Sequence, residues 1–209
     1  LAVANVPDVL EKRSRLLPLA PRFANLPEDQ KSLYEHPESY WSFGWSHGKE
    51  KLQGRPDFAK GSYYNNPVRN APFGSDPTSA TIQEWMSFAH PNIWPTEHLP
   101  ELENAFMDLG STMCSVGHLV AKQCDTYVSS MSKDYEKGKL ARVLGDSKVT
   151  KARLLHYFPK KEEMRARADS VGSANQEEIV QAELFRGRSG SFSGNDDTMI
   201  AAAVAAATT

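Results

Sequence analysis

The sequence has few cysteines, no long apolar run and no excess of charge of one sign. Its 209 residues contain two cysteines, Cys114 and Cys124. If a helix joins them, their backbones lie about 15 Å apart, which is too far for a disulfide. The longest apolar stretch, residues 200–207, is far shorter than the roughly 20 residues of a membrane span. We therefore expect free thiols in a reducing compartment, no membrane anchor and a cytoplasmic protein.

The near balance of charge limits the kinds of partner. Lysine and arginine number 24, aspartate and glutamate number 26, and the net charge is −2. A protein without a large positive field is a poor ligand for nucleic acid or for an anionic membrane. The aromatic and basic run between residues 41 and 60 would suit a single nucleic acid strand, but aromatic packing in a core explains it better. We therefore expect no nucleic acid partner and one folded core.

Periodic apolar residues predict helices in several parts of the chain. The predicted ranges are within 7–20, then 27–36, 100–128 and 133–144. In the long helix, Gly110 and Gly117 lie on one face, and each costs about 1 kcal/mol relative to alanine, so we expect another backbone to approach both. Between Ser39 and Gly74, the many aromatic, glycine and proline residues favour short strands or ordered loops.

Residues 149–158 alternate in the manner of a strand that ends at Pro159. The alternation places Ala152, Leu154, His156 and Phe158 on one face, and Lys151, Arg153, Leu155 and Tyr157 on the other. We expect Arg153 to be a surface charge on the outer face. Beyond this strand the composition becomes charged, small and polar, which offers too little apolar surface to order a chain. We therefore assign residues 1–159 to one domain and expect residues 160–209 to form a disordered tail.

Three stretches, in their order and approximate spacing, resemble the isopenicillin N synthase-like oxygenases. The first is SYWSFGWSHGKE (39–50), which continues into GRPDFAKGSYYNNP (54–67). The second is HPNIWP (90–95), followed by the long helix. The third, RLLHYFP (153–159), is similar to the Arg-x-Asn-Tyr-Tyr-Pro strand that precedes the iron motif of the family. None of them is specific alone; together they cover about residues 26–159 and are most similar to the clavaminate synthase-like branch.

The resemblance implies an α+β fold. In that fold a helical amino-terminal region and a long central helix pack on a partial double-stranded β-helix, an incomplete jelly roll. Members of the family hold iron(II) with two histidines and a carboxylate, beside the co-substrate 2-oxoglutarate, and act on a small molecule. The family positions that touch the co-substrate fall here on His156 and Phe158, although phenylalanine offers no hydroxyl. Core packing under the sheet is an equally good interpretation of both residues.

The iron ligands of that family have no counterpart in this sequence. It contains six histidines and no His-x-Asp. Its one His-x-carboxylate, His36-Pro37-Glu38, lies about 120 residues before the position that the family uses, and we interpret it as a surface turn at a helix end. No histidine and no Arg-x-Ser follows Pro159. The resemblance therefore predicts a truncated or fragmentary oxygenase that binds no metal, has no catalytic residue and is inactive as given.

Two other interpretations stay open. The chain could be a non-catalytic binding or regulatory protein that keeps the oxygenase front half and associates through an open sheet edge. It could also be an unrelated helical interaction protein. A helix at residues 149–158 would favour the unrelated protein, and a strand there would count against it.

Overall fold

The computed structural model describes residues 2–52 and 54–159. The predicted tail, residues 160–209, lies outside these ranges. The chain up to His156 forms one compact unit, and a second unit begins at Tyr157, of which the structure describes residues 157–159. None of the helices in the described ranges combines the length and the apolar character that a membrane crossing requires.

The helices are α1 (Val9–Leu16), α2 (Leu19–Ala24), α3 (Glu28–Ser32), α4 (Ala80–Glu84), α5 (Met86–Ala89), α6 (Leu102–Met131) and α7 (Lys139–Asp146), with a 3-10 helix at Pro37–Ser39. Each predicted helical range contains a helix, but α4 and α5 lie outside these ranges, and α2 runs through Pro21, where the two prolines Pro18 and Pro21 favour an extended link. Pro18 separates α1 from α2, because proline cannot continue the backbone hydrogen bonds of a helix. The long helix is confirmed, and the cysteines that it carries, Cys114 and Cys124, are free as expected.

The strands form a small antiparallel sheet and a short hairpin. They are β1 (Gly44–His47), β2 (Lys51–Leu52), β3 (Arg55–Pro56), β4 (Lys60–Asn65) and β5 (Ala152–Tyr157). The main sheet has the order β1-β4-β5, and β2 pairs with β3. In the antiparallel pairing of β1 with β4, Gly44 lies opposite Tyr64 and His47 opposite Gly61. The expected α+β class and the strand at residues 149–158 are confirmed, which counts against an unrelated helical protein.

Aromatic rings fill the space between the main sheet and the helices. Phe23 of α2 packs against Trp45 of β1 and Tyr63 of β4, with ring centroids 5.1 and 5.0 Å apart. Phe106 of α6 meets Tyr63 edge-on at 6.2 Å. Such tilted and edge-on contacts match the charge distribution of aromatic rings. The Trp45 ring covers Gly61, where a Cβ atom would lie 2.0 Å from the ring, so only glycine fits at this position of β4.

The long helix α6 is buried mainly along its first half. Towards its end, Tyr127 and Met131 are largely exposed. A Cβ atom on Gly110 would lie 2.4 Å from the Cβ of Pro67, so this glycine permits a close approach of the chain after β4. Nothing in the described ranges lies within 4 Å of the same position on Gly117. The predicted close approach is therefore confirmed at Gly110 and wrong at Gly117.

Helix α7 begins at Lys139 rather than at the predicted Lys133. The buried carboxylate of Asp125, on α6, accepts the backbone N–H of Leu140 at 2.9 Å and that of Ala141 at 2.8 Å. These are donors of the first turn, which have no partner within their own helix. A cap from a neighbouring helix therefore sets the start of α7, and periodicity within α7 could not reveal it.

Side-chain amides join β4 to the HPNIWP segment. Asn65 Nδ2 donates to the Ile93 carbonyl at 2.8 Å, and the Ile93 N–H donates to Asn65 Oδ1 at 3.2 Å. Asn66 and Asn92 make the same exchange, at 2.7 and 2.8 Å. An amide side chain can replace the hydrogen bonds of a neighbouring strand, because it has both a donor and an acceptor. Two of the three stretches that carry the family likeness are therefore in contact.

Candidate functional site

The predicted co-substrate residues, His156 and Phe158, lie at the end of β5. His156 lines a crevice of about 10 Å³ together with Phe23 and Leu154, which is far below the roughly 300 Å³ at which small-molecule pockets begin. Burial lowers the pKa of His156, and the neighbouring His47 lowers it further. Phe158 follows the strand and is half-buried. The position of His156 fits packing under the sheet, which is one of the two interpretations of this residue.

Arg153 is not the exposed outer charge that the alternation of β5 predicts. Its Nη2 donates to Glu50 Oε1 at 2.6 Å and to Ser62 Oγ at 2.7 Å. The guanidinium also lies 5.1 Å from the centre of the Tyr64 ring. The expectation is wrong because β4 lies beside β5 and presents Ser62 and Tyr64 on the same face, while Glu50 approaches from the segment between β1 and β2. Arg153 is a partly buried ion-pair residue.

Glu50 collects several donors at the edge of the sheet. Lys60 Nζ lies 2.9 Å from its Oε2, and the Tyr64 hydroxyl donates to its Oε1 at 2.8 Å. Burial alone would raise the pKa of Glu50, but hydrogen bonds from Lys60 and Tyr64 and the charge of Arg153 outweigh burial and lower the pKa to about 2. Burial and the hydrogen bond to Glu50 raise the pKa of Tyr64 to about 12. Both groups titrate far from neutrality, so neither suits acid–base catalysis there.

Lys151, just before β5, is a cation without a carboxylate partner in the described ranges. Its Nζ donates to the carbonyl of Ser42 at 2.8 Å and to the carbonyl of Ser87. It also lies 4.2 Å from the centre of the Phe43 ring. Burial lowers the pKa of Lys151 to about 8. The side chain therefore ties the start of β5 to two distant segments, the turn before β1 and helix α5.

The residues of the described ranges do not fit an iron site. No group of three His, Cys, Asp or Glu side chains among them can hold a metal ion. Two histidines and a carboxylate do lie close together. The ring centroids of His36 and His90 are 4.0 Å apart, and Glu38 Oε2 lies 3.8 Å from His36 Nε2. Two imidazoles that occupy neighbouring positions on a six-coordinate iron have ring centres roughly 4.5 Å apart, so this stacked pair would have to separate to share the ion. His36 is also partly buried, and is not the simple surface turn that the sequence suggests.

A pocket of about 550 Å³ opens beside the stacked histidines. Tyr40, Trp85 and Phe88 contribute aromatic rings to it, and Glu38 and Glu84 contribute carboxylates. Its volume lies within the range of pockets that hold small molecules. We call it the aromatic pocket. The sequence analysis does not predict this pocket. The one signal in the sequence is that its aromatic residues lie outside any apolar periodicity.

The histidines beside the aromatic pocket have lowered pKa values, which favour their neutral forms. Burial lowers the pKa of His36, although the nearby Glu38 opposes this effect. Burial also lowers the pKa of His90, and the adjacent His36 lowers it further. The Nδ1 of His90 lies 2.6 Å from the Pro91 carbonyl, which fixes the orientation of that ring. The wall of the pocket therefore carries negative charge from its carboxylates.

Comparison with known proteins gives a likeness of fold. No protein-family model matches the sequence, and no curated protein sequence matches it. Among solved structures, a Caulobacter crescentus protein assigned to the 2OG-Fe(II) oxygenase family superposes with a TM-score of 0.53 at 20% sequence identity. The likeness covers 75% of this chain and 46% of that chain, so this chain spans less than half the length of its structural neighbour. The α+β fold of this chain is thus shared with part of a 2OG-Fe(II) oxygenase family protein.

Proposed function

We propose that this chain is the amino-terminal part of an iron(II)- and 2-oxoglutarate-dependent oxygenase of the isopenicillin N synthase-like family, in its clavaminate synthase-like branch. The observation that carries the proposal is the order of elements, amino-terminal helices, β1, β4, α6 and β5, within a fold shared with the Caulobacter protein. In this assignment, β1, β4 and β5 are the first strands of a double-stranded β-helix, and α6 is its central helix. The amide exchanges between β4 and the HPNIWP segment support it.

The described residues would then serve as the scaffold of the oxygenase. In the resemblance, β5 leads directly to the iron motif, so the position of β5 decides where that motif lies. The bonds of Arg153 to Glu50 and Ser62 hold this strand, and the carbonyl contacts of Lys151 hold the residue before it. A rigid support matters because a displacement of about 1 Å can lower a catalysed rate about 100-fold.

Co-substrate contact at the end of β5 is part of the proposal. The resemblance assigns contact with 2-oxoglutarate to the positions of His156 and Phe158, and an intact enzyme would also bind a small-molecule substrate. The imidazole of His156 can donate a hydrogen bond, whereas the ring of Phe158 can offer only an apolar surface. The crevice around His156 supports packing as the other role of that residue.

The chain as given should be catalytically inert, because its sequence contains no His-x-Asp. The test is calorimetric titration of the purified chain with iron(II) without oxygen, followed by an assay for succinate after 2-oxoglutarate and oxygen are added. We expect no stoichiometric iron binding and no succinate above the buffer control. An active oxygenase in the same reagents is the positive control. Micromolar iron binding with succinate production would refute inertness and leave the family assignment standing.

The family assignment has a separate test in the gene. Sequencing the gene and its transcript downstream of codon 209, in all reading frames, should reveal a His-x-Asp. Its discovery would support an oxygenase origin. A transcript that continues without any such motif would argue against it.

A non-catalytic, partner-dependent protein is the second candidate. It is favoured by the position of β5, which lies at one edge of the main sheet in the described part of the chain. An open strand edge presents unpaired backbone donors and acceptors to a second chain. Size-exclusion chromatography with light scattering tests this candidate. A stable dimer supports it, and a monomer across a wide range of concentrations argues against it.

A further inference from the structure

We propose that the aromatic pocket is a binding site for an organic cation of the alkylammonium class. Its lining includes Glu38 and Tyr40 at the 3-10 helix and residues 83–88 at helices α4 and α5. The aromatic and carboxylate side chains of the pocket make none of the contacts that are assigned to the oxygenase scaffold, to which only the backbone carbonyl of Ser87 contributes. The cation site and the oxygenase assignment can therefore fail independently.

The rings at the pocket are the first observation. Tyr40, Trp85 and Phe88 are 80%, 49% and 40% exposed, and all three line the same concavity. Apolar groups that share one exposed concave patch commonly mark a binding surface. The face of an aromatic ring is electron-rich and attracts a cation within about 6 Å of its centre. The three rings therefore provide both apolar contact and attraction for positive charge.

The charge of the pocket is the second observation. Glu38 and Glu84 line it, and no lysine or arginine of the described ranges does. The lowered pKa values of His36 and His90 favour their neutral forms. Lys151 does not line the pocket, although its Nζ lies 5.6 Å from the centre of the Phe88 ring and donates to the carbonyls of Ser42 and Ser87. An anion would be repelled here, whereas a cation would be attracted by both carboxylates.

The backbone at the pocket is the third observation. Tyr40 and Trp41 are adjacent and have φ angles of 55° and 53°, the left-handed region that bulky side chains seldom adopt. Because the Tyr40 ring is largely exposed, packing of that ring does not explain its backbone conformation. The turn is fixed by Ser39, whose Oγ donates to the His36 carbonyl, and by Ser87 Oγ, which donates to the Ser39 carbonyl. Held strain of this kind is typical of ligand-binding sites.

A metal ion does not suit the same place. The stacked rings of His36 and His90 would have to separate before both could bind one ion, as their centroid distance of 4.0 Å indicates. An alkylammonium ion needs no such rearrangement, because it contacts ring faces and carboxylates without directional ligand bonds.

The decisive experiment compares two ligands of the same shape and different charge. Choline carries a trimethylammonium group, and 3,3-dimethylbutan-1-ol replaces it with a neutral tert-butyl group. We would titrate each into the full chain, labelled with ¹⁵N, at neutral pH and low salt, and follow the indole N–H signals. We expect choline to bind with a Kd of roughly 1–10 mM, at least about tenfold more tightly than the alcohol. Equal affinities, or no choline binding at about 50 mM, would overturn the proposal.

Substitutions locate the site. Trp85→Leu should weaken choline binding about fivefold or more, because it removes the best cation-binding ring. The matched control is Tyr127→Leu, which removes an exposed ring from α6 outside the pocket and should leave the affinity unchanged. Tyr40→Asn should also weaken choline binding, and asparagine tolerates the left-handed backbone, so this variant guards against a folding defect. Circular dichroism spectra of all variants check the fold.

The carboxylates have their own control. The double variant Glu38→Gln/Glu84→Gln should weaken choline binding at least about threefold and leave binding of the neutral alcohol unchanged. Glu97→Gln, at an exposed carboxylate outside the pocket, should change neither. If the folded Trp85→Leu and Tyr40→Asn variants bind choline as the unmodified chain does, the cation lies elsewhere and the proposal is wrong.

Discussion

Two cations at β5, Arg153 and Lys151, illustrate different ways of holding a charge inside a protein. Arg153 has a carboxylate partner, Glu50, at 2.6 Å. Lys151 has the carbonyls of Ser42 and Ser87 and the ring of Phe43. Both side chains are partly buried on the strand face that the sequence identifies as outer. The comparison teaches that burial alone does not set the behaviour of a charged group, because the nature of its partner matters as much.

The partners change which protonation state is favoured. Glu50 places a full negative charge opposite the guanidinium of Arg153, and its hydrogen bonds and nearby positive charges lower the pKa of Glu50 to about 2. Carbonyl dipoles compensate an ammonium less completely, so burial dominates and the pKa of Lys151 falls to about 8. The start of β5 is therefore held by one contact that is insensitive to pH near neutrality and one that is sensitive to mild alkali.

Protonation of Lys151 should give the largest measurable effect. Its pKa is about 8 in the folded chain, against the usual lysine value of 10.5. Between these values the unfolded chain binds a proton that the folded chain does not, so the free energy of unfolding should rise with pH. From pH 8 to 10 we expect a rise on the order of 2–3 kcal/mol, measured by urea unfolding. Lys151→Met should abolish this contribution.

The control for this measurement is Lys133→Met, which alters an exposed lysine after α6 and should keep the rise. The range ends at pH 10 because burial raises the pKa values of Tyr63 and Tyr64. Above pH 10 these tyrosines ionise more readily in the unfolded chain and lower the stability. An equal slope for the unmodified chain and Lys151→Met would show that Lys151 is not the source.

Removal of the carboxylate at Glu50 should have a smaller effect. Glu50→Gln leaves Arg153 partly buried without its nearest negative charge, and we expect a loss of about 1–2 kcal/mol at pH 7, reduced from the fully buried case by solvent. Because the pKa of Glu50 is about 2 in the folded chain and the usual glutamate value is 4.5, the unmodified chain should lose this stabilisation as pH falls from about 5 to 2.

Urea unfolding across that acid range measures the effect of Glu50. The Gln variant should show a flatter decline than the unmodified chain, whereas Glu97→Gln, at an exposed carboxylate, should follow the unmodified chain. A Gln variant with unchanged stability at pH 7 would mean that solvent screens the ion pair completely, and the contrast with Lys151 would lose its basis.

The sequence predicts many of the helices and strands, but it does not predict that Arg153 and Lys151 have different kinds of partner. The helical periodicity of α6 and the alternation of β5 are local signals, and both are confirmed. Alternation assigns Lys151 and Arg153 to one face and says nothing about what covers that face. The carboxylate partner of Arg153 is Glu50, which lies 103 positions earlier in the chain. Only the tertiary fold decides which cation finds a carboxylate.

Local sequence patterns also fail to predict the aromatic pocket and the cap of α7, because both combine residues from distant segments. The aromatic pocket combines residues near 36–40 with residues near 83–90, and no pattern within either segment links them. The start of α7 likewise depends on Asp125 of another helix. By contrast, the close approach at Gly110 could be predicted, because glycine destabilises a helix relative to alanine and a close backbone contact can explain its presence. Gly117 has no similar contact in the described ranges, so a glycine inside a helix does not always mark such a contact.

The contact of Lys151 with Phe43 should make the smallest contribution to stability, and its pH dependence tests directly whether Lys151 is held through its charge. In a double-mutant cycle of Lys151→Met and Phe43→Leu, we expect a coupling of roughly 0.5–1 kcal/mol at pH 7, where the ammonium 4.2 Å from the ring centre is charged. At pH 10 the amine is neutral, so the coupling should fall towards zero. A parallel cycle with Phe23→Leu, in the core between α2 and the sheet, should show little coupling at either pH. A Phe43 coupling that persists at pH 10 would mean that the two side chains interact through packing rather than charge.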